Sequence, residues 1–310
     1  MGQIKQVIIC SAGHSGSTML DMVIGSHPMC ESLGELLVLP MEFAQDNSCT
    51  CGQKIRVCPL WSKVALSIKL DVENDPYALN LGYIRAAIGG DPRVMRLAYI
   101  WRVKILLGLT YAKLRYGIPL PTLLTQRFND GIANTMHVFE LVRQLTGKSI
   151  MVDSSKHHSR AISLYLSDPE HTRLIMLVRD GRGVFYSKLK RGFNQHQSLT
   201  AWKRYYSNLL PLLKRHVSER HVMQVKYEDF VMHTELECSR LCDFLGITFD
   251  PKMINFTNVA HHNVNGNRMR FSQNSELHLD EKWRQELSIA DTKYFERYAG
   301  FMNRFFGYKD

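Results

Sequence analysis

Gln6-Val7-Ile8-Ile9-Cys10-Ser11-Ala12-Gly13-His14-Ser15-Gly16-Ser17-Thr18 is the stretch on which the fold turns. Gln6 to Cys10 is a short, nearly continuous apolar run bounded by Ser, Gly and His, the pattern of a strand buried on both faces of a parallel sheet. From Thr18 to Gly25 the spacing is helical, and His27-Pro28 closes the helix. Strand, Gly/Ser loop and helix in that order bring free backbone N–H groups and the positive end of a helix dipole to one point. Gly13 and Gly16 permit the tight turn and close backbone approach that a phosphate requires. The loop is not of the Walker A type, because Ser17 stands where the nucleotide-gripping lysine should follow the glycine, which weakens a kinase or NTPase reading. Taken alone, the segment reads equally well as an ordinary strand-to-helix turn.

Three further β-type runs lie much later in the chain. Ser149 to Val152 ends in Asp153-Ser154-Ser155-Lys156, Arg173 to Val178 ends in Arg179-Asp180-Gly181, and His221 to Val225 ends in Lys226-Tyr227-Glu228-Asp229. Each leads into a helical pattern: Ala161 to Leu166, Val184 to Lys190, and Thr234 to Leu245. Strands alternating with helices predict an α/β fold on a parallel sheet, with ligands held outside the carboxyl ends of the strands. All four polar clusters fall at those ends. Residues 59–147 show no convincing strand, and spacings such as Gly131 to Leu145 suit helices. This segment reads as a helical cap insertion on the acceptor side of a single domain spanning residues 1–310.

The 310 residues are 45% hydrophobic and 22% charged, which excludes disordered and collagen-like classes. The longest uncharged apolar run of the most hydrophobic region, Ile105 to Ala112, falls far short of the roughly 18 residues that cross a bilayer. The N-terminus lacks the apolar region and cleavage site of a secretory signal, so a cytoplasmic location is expected. Lys and Arg number 39 against 29 Asp and Glu, and the net charge of +10 favours anionic partners: nucleic acid, acidic membrane or a phosphorylated small molecule.

Val178-Arg179-Asp180-Gly181-Arg182 ends a strand, and Ser187 follows Arg179 by eight residues, two turns into the next helix. With the His14 to Thr18 loop, this resembles the sulfotransferases that use 3'-phosphoadenosine 5'-phosphosulfate (PAPS), in particular bacterial-type members with a Gly-Glu motif, related to the tyrosylprotein sulfotransferases. The resemblance implies a P-loop-like three-layer fold. It implies that Gly13, His14, Ser15, Gly16, Ser17 and Thr18 hold the 5'-phosphosulfate and that Arg179 and Ser187 hold the 3'-phosphate. Gly34-Glu35 matches the motif that carries the base, and Lys156 the lysine near the bridging oxygen. Tyr227 matches the tyrosine beside the adenine. Gly266-Asn267-Arg268-Met269-Arg270, with Trp283 beyond, is similar to the loop whose basic residues, here Arg268 and Arg270, close over the 3'-phosphate. His14 departs from the family, which usually has Arg or Lys there; histidine still donates to a phosphate, more strongly when protonated.

Sulfuryl transfer needs in-line positioning, neutralisation of the departing phosphate and removal of the acceptor proton. The donor would be PAPS, with adenosine 3',5'-bisphosphate (PAP) as product, and no metal is required. Glu35 is the first choice of base and His158 its rival, since cytosolic small-molecule sulfotransferases resemble this stretch with a Lys-x-His base. The competing functions are a P-loop-type nucleotide kinase or NTPase and a non-enzymatic basic nucleic-acid-binding protein. Nucleic acid is not the expected partner, because the informative basic residues sit singly at strand ends. The expected acceptor bears a hydroxyl on a glycan, lipid or small alcohol.

Arg182 reads as a surface residue. Cys49, Cys51 and Cys58, with Cys30 as a conceivable fourth thiol, lack the two separated Cys-x-x-Cys pairs of a zinc site and read as reduced structural cysteines; His261-His262 reads as binding nothing. Within residues 92–121, Arg93, Arg96, Lys104 and Arg115 share a helical face, with Arg102 and Lys113 opposite. A core-packed helix is one reading of this segment, and peripheral contact with an anionic membrane or a lipid-linked acceptor is the other.

Overall fold

The computed structural model of the chain describes residues 3–75, 79–82 and 97–309. Five strands form one sheet: β1 (Gln6–Cys10), β2 (Cys30–Ser32), β3 (Ile150–Asp153), β4 (Thr172–Val178) and β5 (Val222–Lys226). Their order is β2-β3-β1-β4-β5 and every pairing is parallel. Parallel strands require crossovers, so both faces are covered and the strands become apolar throughout. Alternation sorts the side chains: Ile8 and Cys10 of β1, with Leu174 and Met176 of β4, enter one core. Val7 and Ile9, with Ile175 and Leu177, enter the other.

The Ser17–Gly25, Tyr227–Met232 and Thr234–Leu245 helices pack on the second face. On the first lie Thr122–Thr146, His158–Ser167, Gly181–Leu189, Gln195–His216 and Ile289–Phe305. The result is the helix–sheet–helix sandwich expected. Within the 59–147 segment the described residues form three helices, Trp61–Ser67, Leu97–Tyr116 and Thr122–Thr146, joined by turns and coil. Its last helix is also a working part of the sandwich. Val138, Phe139 and Val142 bury in the first-face core, and Gly147 at φ 70° stops the helix just before β3.

From β1 the chain crosses to β2 on one side, whereas from β4 it crosses to β5 on the other. The loops after β1 and β4 therefore diverge, leaving a crevice at the carboxyl ends of the two strands, where open α/β sheets bind ligands. Beyond β2, Val264 adds a short parallel bridge to Gly34: its N–H donates to the Leu33 carbonyl at 2.9 Å, and Glu35 N–H donates to its carbonyl at 2.8 Å. The segment around Val264 is thus pinned beside the loop after β2. Among the described residues, no helix is long and apolar enough to cross a membrane.

Candidate active site

A cavity of about 1190 Å³ opens at the crevice. The loop after β1 forms its floor. The first hydrogen bond of the Ser17–Gly25 helix runs from Leu20 N–H to the Gly16 carbonyl at 3.1 Å. The amides at 17–19 consequently sit at the free end of the helix, where partial positive charge collects. Gly16 has φ 90°, and a Cβ there would meet the Tyr227 ring at 2.5 Å, so both the turn and the tyrosine demand glycine. His14 adopts φ 68° without being glycine. Burial, together with Arg191, Lys188, Lys156 and Arg179 nearby, pushes its imidazole down to about 4, so at neutral pH it offers a neutral donor. Ser15 is fully buried and is not part of the cavity lining, whereas Gly13, Ser17 and Thr18 line it.

Arg179 leaves β4 at the cavity wall. Its guanidinium lies 4.6 Å above the Tyr227 ring and donates to the His14 carbonyl at 3.2 Å and to Asp280, at 2.9 Å to the carbonyl and 3.2 Å to the carboxylate. Ser187 lines the same cavity two turns along the Gly181–Leu189 helix, its hydroxyl donating to the Gly183 carbonyl at 2.9 Å. Tyr227 closes the adjoining side, following β5 directly. Arg268 also lines the cavity and is exposed; its segment is seated by Asn267 N–H donating to Thr18 Oγ1 at 3.0 Å.

Glu35 and Lys156 reach this space from the ends of the adjacent strands β2 and β3 and form an ion pair there, each about one-fifth exposed. Their backbones are interlocked: Ser154 N–H donates to the Gly34 carbonyl at 2.9 Å, and Leu37 N–H to Ser155 Oγ at 3.0 Å. Asp21, which the sequence reading missed, sets the carboxylate side. It accepts from Ser32 Oγ at 2.8 Å, Gly34 N–H at 3.1 Å and Asn263 Nδ2 at 2.5 Å. Full burial raises its carboxyl to about 8. The available signal was a lone acidic residue within the otherwise apolar stretch Met19 to Ile24. Tyr206, also missed, supports the loop from below, donating to the Leu177 carbonyl at 2.6 Å and accepting from Ala12 N–H at 3.4 Å.

Besides Ser15, two assigned positions lie outside the lining, and Arg182 is not where it was expected. His158 is outside the lining of the cavity: its Nε2 faces Asn208 Nδ2 at 3.3 Å, its ring packs near Tyr111 and Tyr205, and burial pushes it down to about 4. Two residues of separation from Lys156 carry it past the strand end into the next helix. Arg270 is also outside. Its buried guanidinium donates to the carbonyls of Asn263 and Ser48, both at 2.9 Å, and so acts as a strut between two loops. Arg182 is buried rather than on the surface, paired with Asp180 at 2.7 Å and 4.6 Å from the Trp283 ring.

The cysteines at 49, 51 and 58 converge, and their fourth neighbour is His262, not Cys30, which is buried in β2. Of the basic residues within 92–121, Arg93 and Arg96 of the shared face and the side chain of Arg102 opposite lie outside the described residues. Lys104 and Lys113 are exposed, and Arg115 lies 5.2 Å from the Tyr116 ring.

Residues 123–251 match the sequence profile of the sulfotransferase family. A 136-residue stretch is 25% identical to "Protein-tyrosine sulfotransferase A" of Caenorhabditis elegans, covering 37% of this chain and 36% of that protein, about a third of the relative's length. The sulfotransferase domain of the olefin synthase of Synechococcus PCC 7002 superposes over 100% of this chain and 97% of its own, with a TM-score of 0.53 and 18% identity. At that identity the likeness speaks to the fold, and it covers the sheet and all its crossovers. Over residues 123–251 the chain thus matches the sulfotransferase family profile, and its fold is like that of a sulfotransferase domain from end to end.

Proposed function

We propose that the protein transfers a sulfuryl group from PAPS to a hydroxyl of a glycan, lipid or small-alcohol acceptor. The observation that carries this reading is convergence: the helix-end loop, Arg179 with Ser187, and the Lys156–Glu35 pair face one cavity of about 1190 Å³. That volume lies above the usual range of roughly 300–1,000 Å³ for small-molecule sites, which suits a nucleotide donor with an acceptor beside it. Lys156, Arg179, Lys190, Arg191, Arg268 and Lys282 line it, and that charge suits a ligand with several phosphates and a sulfate.

In this reading PAPS supplies the sulfuryl group, and the protein's residues do the rest. Loop amides 17–19 hold the 5'-end, and Arg179 and Ser187 hold the 3'-phosphate. The acceptor oxygen forms a bond to sulfur as the sulfur–oxygen bond to the 5'-phosphate breaks. Glu35 takes the acceptor's proton, and Lys156 turns from Glu35 to the departing phosphate oxygen. The ion pair would thus be a resting arrangement in which each partner neutralises the other until both are needed. A nucleotide kinase would want a lysine after the loop glycine, and Ser17 occupies that place.

The test is transfer of radiolabelled sulfate from PAPS to a panel of alcohols, glycans and host extract, with the product identified by mass spectrometry. Thermal stabilisation by PAP but not by ATP or an oligonucleotide is the accompanying expectation. Stabilisation by ATP alone, or by oligonucleotide alone, would return the kinase or the nucleic-acid reading.

A further inference from the structure

The cysteine cluster takes no part in the cavity, and its geometry is that of a built coordination site. The Sγ atoms of Cys49, Cys51 and Cys58 and a ring nitrogen of His262 all lie within 4.8 Å of one another. Cys58 Sγ is 3.5 Å from Cys49 Sγ, 3.7 Å from Cys51 Sγ and 3.2 Å from His262 Nδ1, and Cys49 Sγ is 3.9 Å from the same nitrogen. Zinc bonds of about 2.3 Å to sulfur and about 2.0–2.1 Å to nitrogen, arranged tetrahedrally, imply edges of about 3.8 Å between sulfurs and about 3.6 Å from sulfur to nitrogen. The four ligand atoms already stand close to the corners of that tetrahedron. A disulfide would need sulfurs about 2.05 Å apart, and none of these pairs approaches that distance.

The surrounding backbone is shaped for the cluster. Ser48 and Lys54 pair as an antiparallel bridge, Cys49 N–H donates to the Gln53 carbonyl at 2.8 Å, and Gly52 turns the chain at φ 86°. Cys49 and Cys51 are thereby presented from one tight turn, with Cys58 arriving from the following loop. His262 is fixed from behind, because its carbonyl accepts the Trp61 indole N–H at 2.6 Å. Three thiolates around a divalent cation leave one net negative charge, and the buried guanidinium of Arg270, bonded to the carbonyls of Ser48 and Asn263, stands next to it. The strut that sequence reading placed on the cofactor has a partner of its own here.

We propose that Cys49, Cys51, Cys58 and His262 bind a single zinc-class divalent cation in a closed, structural Cys3His site. Four protein ligands leave no open position, which separates such a site from a catalytic metal. Binding converts three thiols to thiolates and releases their protons. Its effect is to fasten the 48–58 loop to the segment at 262–264, which in turn bridges Gly34 and Glu35. The cation would therefore secure the wall that carries the carboxylate without touching any ligand of the cavity.

The whole chain, purified under reducing conditions from zinc-supplemented culture, is expected to retain about one zinc per molecule after dialysis, by inductively coupled plasma mass spectrometry. Chelator-stripped protein titrated with Co(II) should develop thiolate-to-cobalt charge-transfer absorption and the ligand-field bands of a tetrahedral centre. Cys49→Ser, Cys58→Ser and His262→Ala should each lower metal retention at least tenfold, Cys30→Ser should leave it unchanged, and His262→Cys should restore it. Should the ligand variants not fold, the wild-type cobalt spectrum still decides. Reduced wild-type protein that takes up neither zinc nor cobalt, or that loses metal equally in Cys30→Ser, would overturn the proposal. So would protein isolated with a disulfide among these three cysteines that stays metal-free after reduction.

Discussion

At Arg179 a single guanidinium joins the loop after β1, the ring of Tyr227 and the segment around Asp280. In the proposed donor site, replacing it with alanine would remove a charge-assisted contact to a phosphate worth on the order of 1.5–3 kcal/mol. Calorimetric PAP affinity should fall by roughly tenfold or more, and unchanged affinity in a folded Arg179→Ala protein would withdraw it from the site. Glu35→Gln keeps the side chain's size but ends its capacity to accept a proton. Turnover should drop by roughly 10²–10⁴ with PAP binding near wild type. His158→Ala makes the contrast: lying outside the cavity lining and packed near Tyr111 and Tyr205, it should cost thermal stability and leave the rate constant nearly intact. If the histidine variant lost turnover and the glutamine variant kept it, the two roles would have to be exchanged. The choice between Glu35 and His158 could not be settled from sequence, because both lie within a few residues of a recognisable motif. What separates them is whether the chain at that point still faces the strand ends or has already turned into a helix.

Among the elements, the three-residue strand β2 and the bridge beyond it hold the carboxylate side in place. Gly34 sits at φ 71° with its missing Cβ directed at the backbone of Val264, whose nitrogen would lie 2.7 Å away. Neither the backbone angle nor the space admits a side chain. Gly34→Ala should therefore destabilise the fold by more than the ~1 kcal/mol that strain-free Gly-to-Ala changes gain, with the opposite sign, and should lower turnover through Glu35. Chemical denaturation of the folded variant checks the first effect and its rate the second. The sequence made the long apolar strands plain: β1 and β4 run almost as their hydrophobic stretches do, and the Thr234–Leu245 helix has the expected bounds. It did not reveal β2, since Cys30-Glu31-Ser32 has no apolar run to announce it and pairs only through β3. Nor did it reveal the Gln195–His216 helix, whose polar character and internal Pro211 mask the buried stripe of Leu199, Trp202, Tyr206 and Leu209. The roles of Asp21 and Arg270 were hidden for a related reason: their partners lie far away in the chain, at Asn263 and at Ser48.

The molecule as a whole carries several imidazoles held uncharged. Burial pushes His14, His158 and His261 down to about 4 and His157 to about 3. An unfolded imidazole titrates near ~6.5, so each of these favours the folded state fully above that value, and the contribution is lost as pH falls through it toward 4. Asp21 acts in the opposite sense: raised to about 8, it favours folding most below its unfolded value and loses that contribution as pH rises through 8. The denaturation midpoint should fall steeply between about pH 6.5 and 4, and His157→Gln combined with His158→Asn should flatten that limb. An unaltered slope in the double variant would show that other groups govern acid unfolding. The positive surplus of the chain draws anions toward the cavity, yet Arg179 at its wall is already engaged by a carboxylate. Asp280 is therefore placed as a resident counter-ion, and in the proposed donor site a phosphate arriving at Arg179 would enter by exchange. Such exchange would lower the net gain from that contact and would release the Asp280 carboxylate from the guanidinium that now holds it. Asp280→Asn should bind PAP more tightly than wild type, and the segment around 280 should become more open to hydrogen exchange when PAP is bound to the native protein.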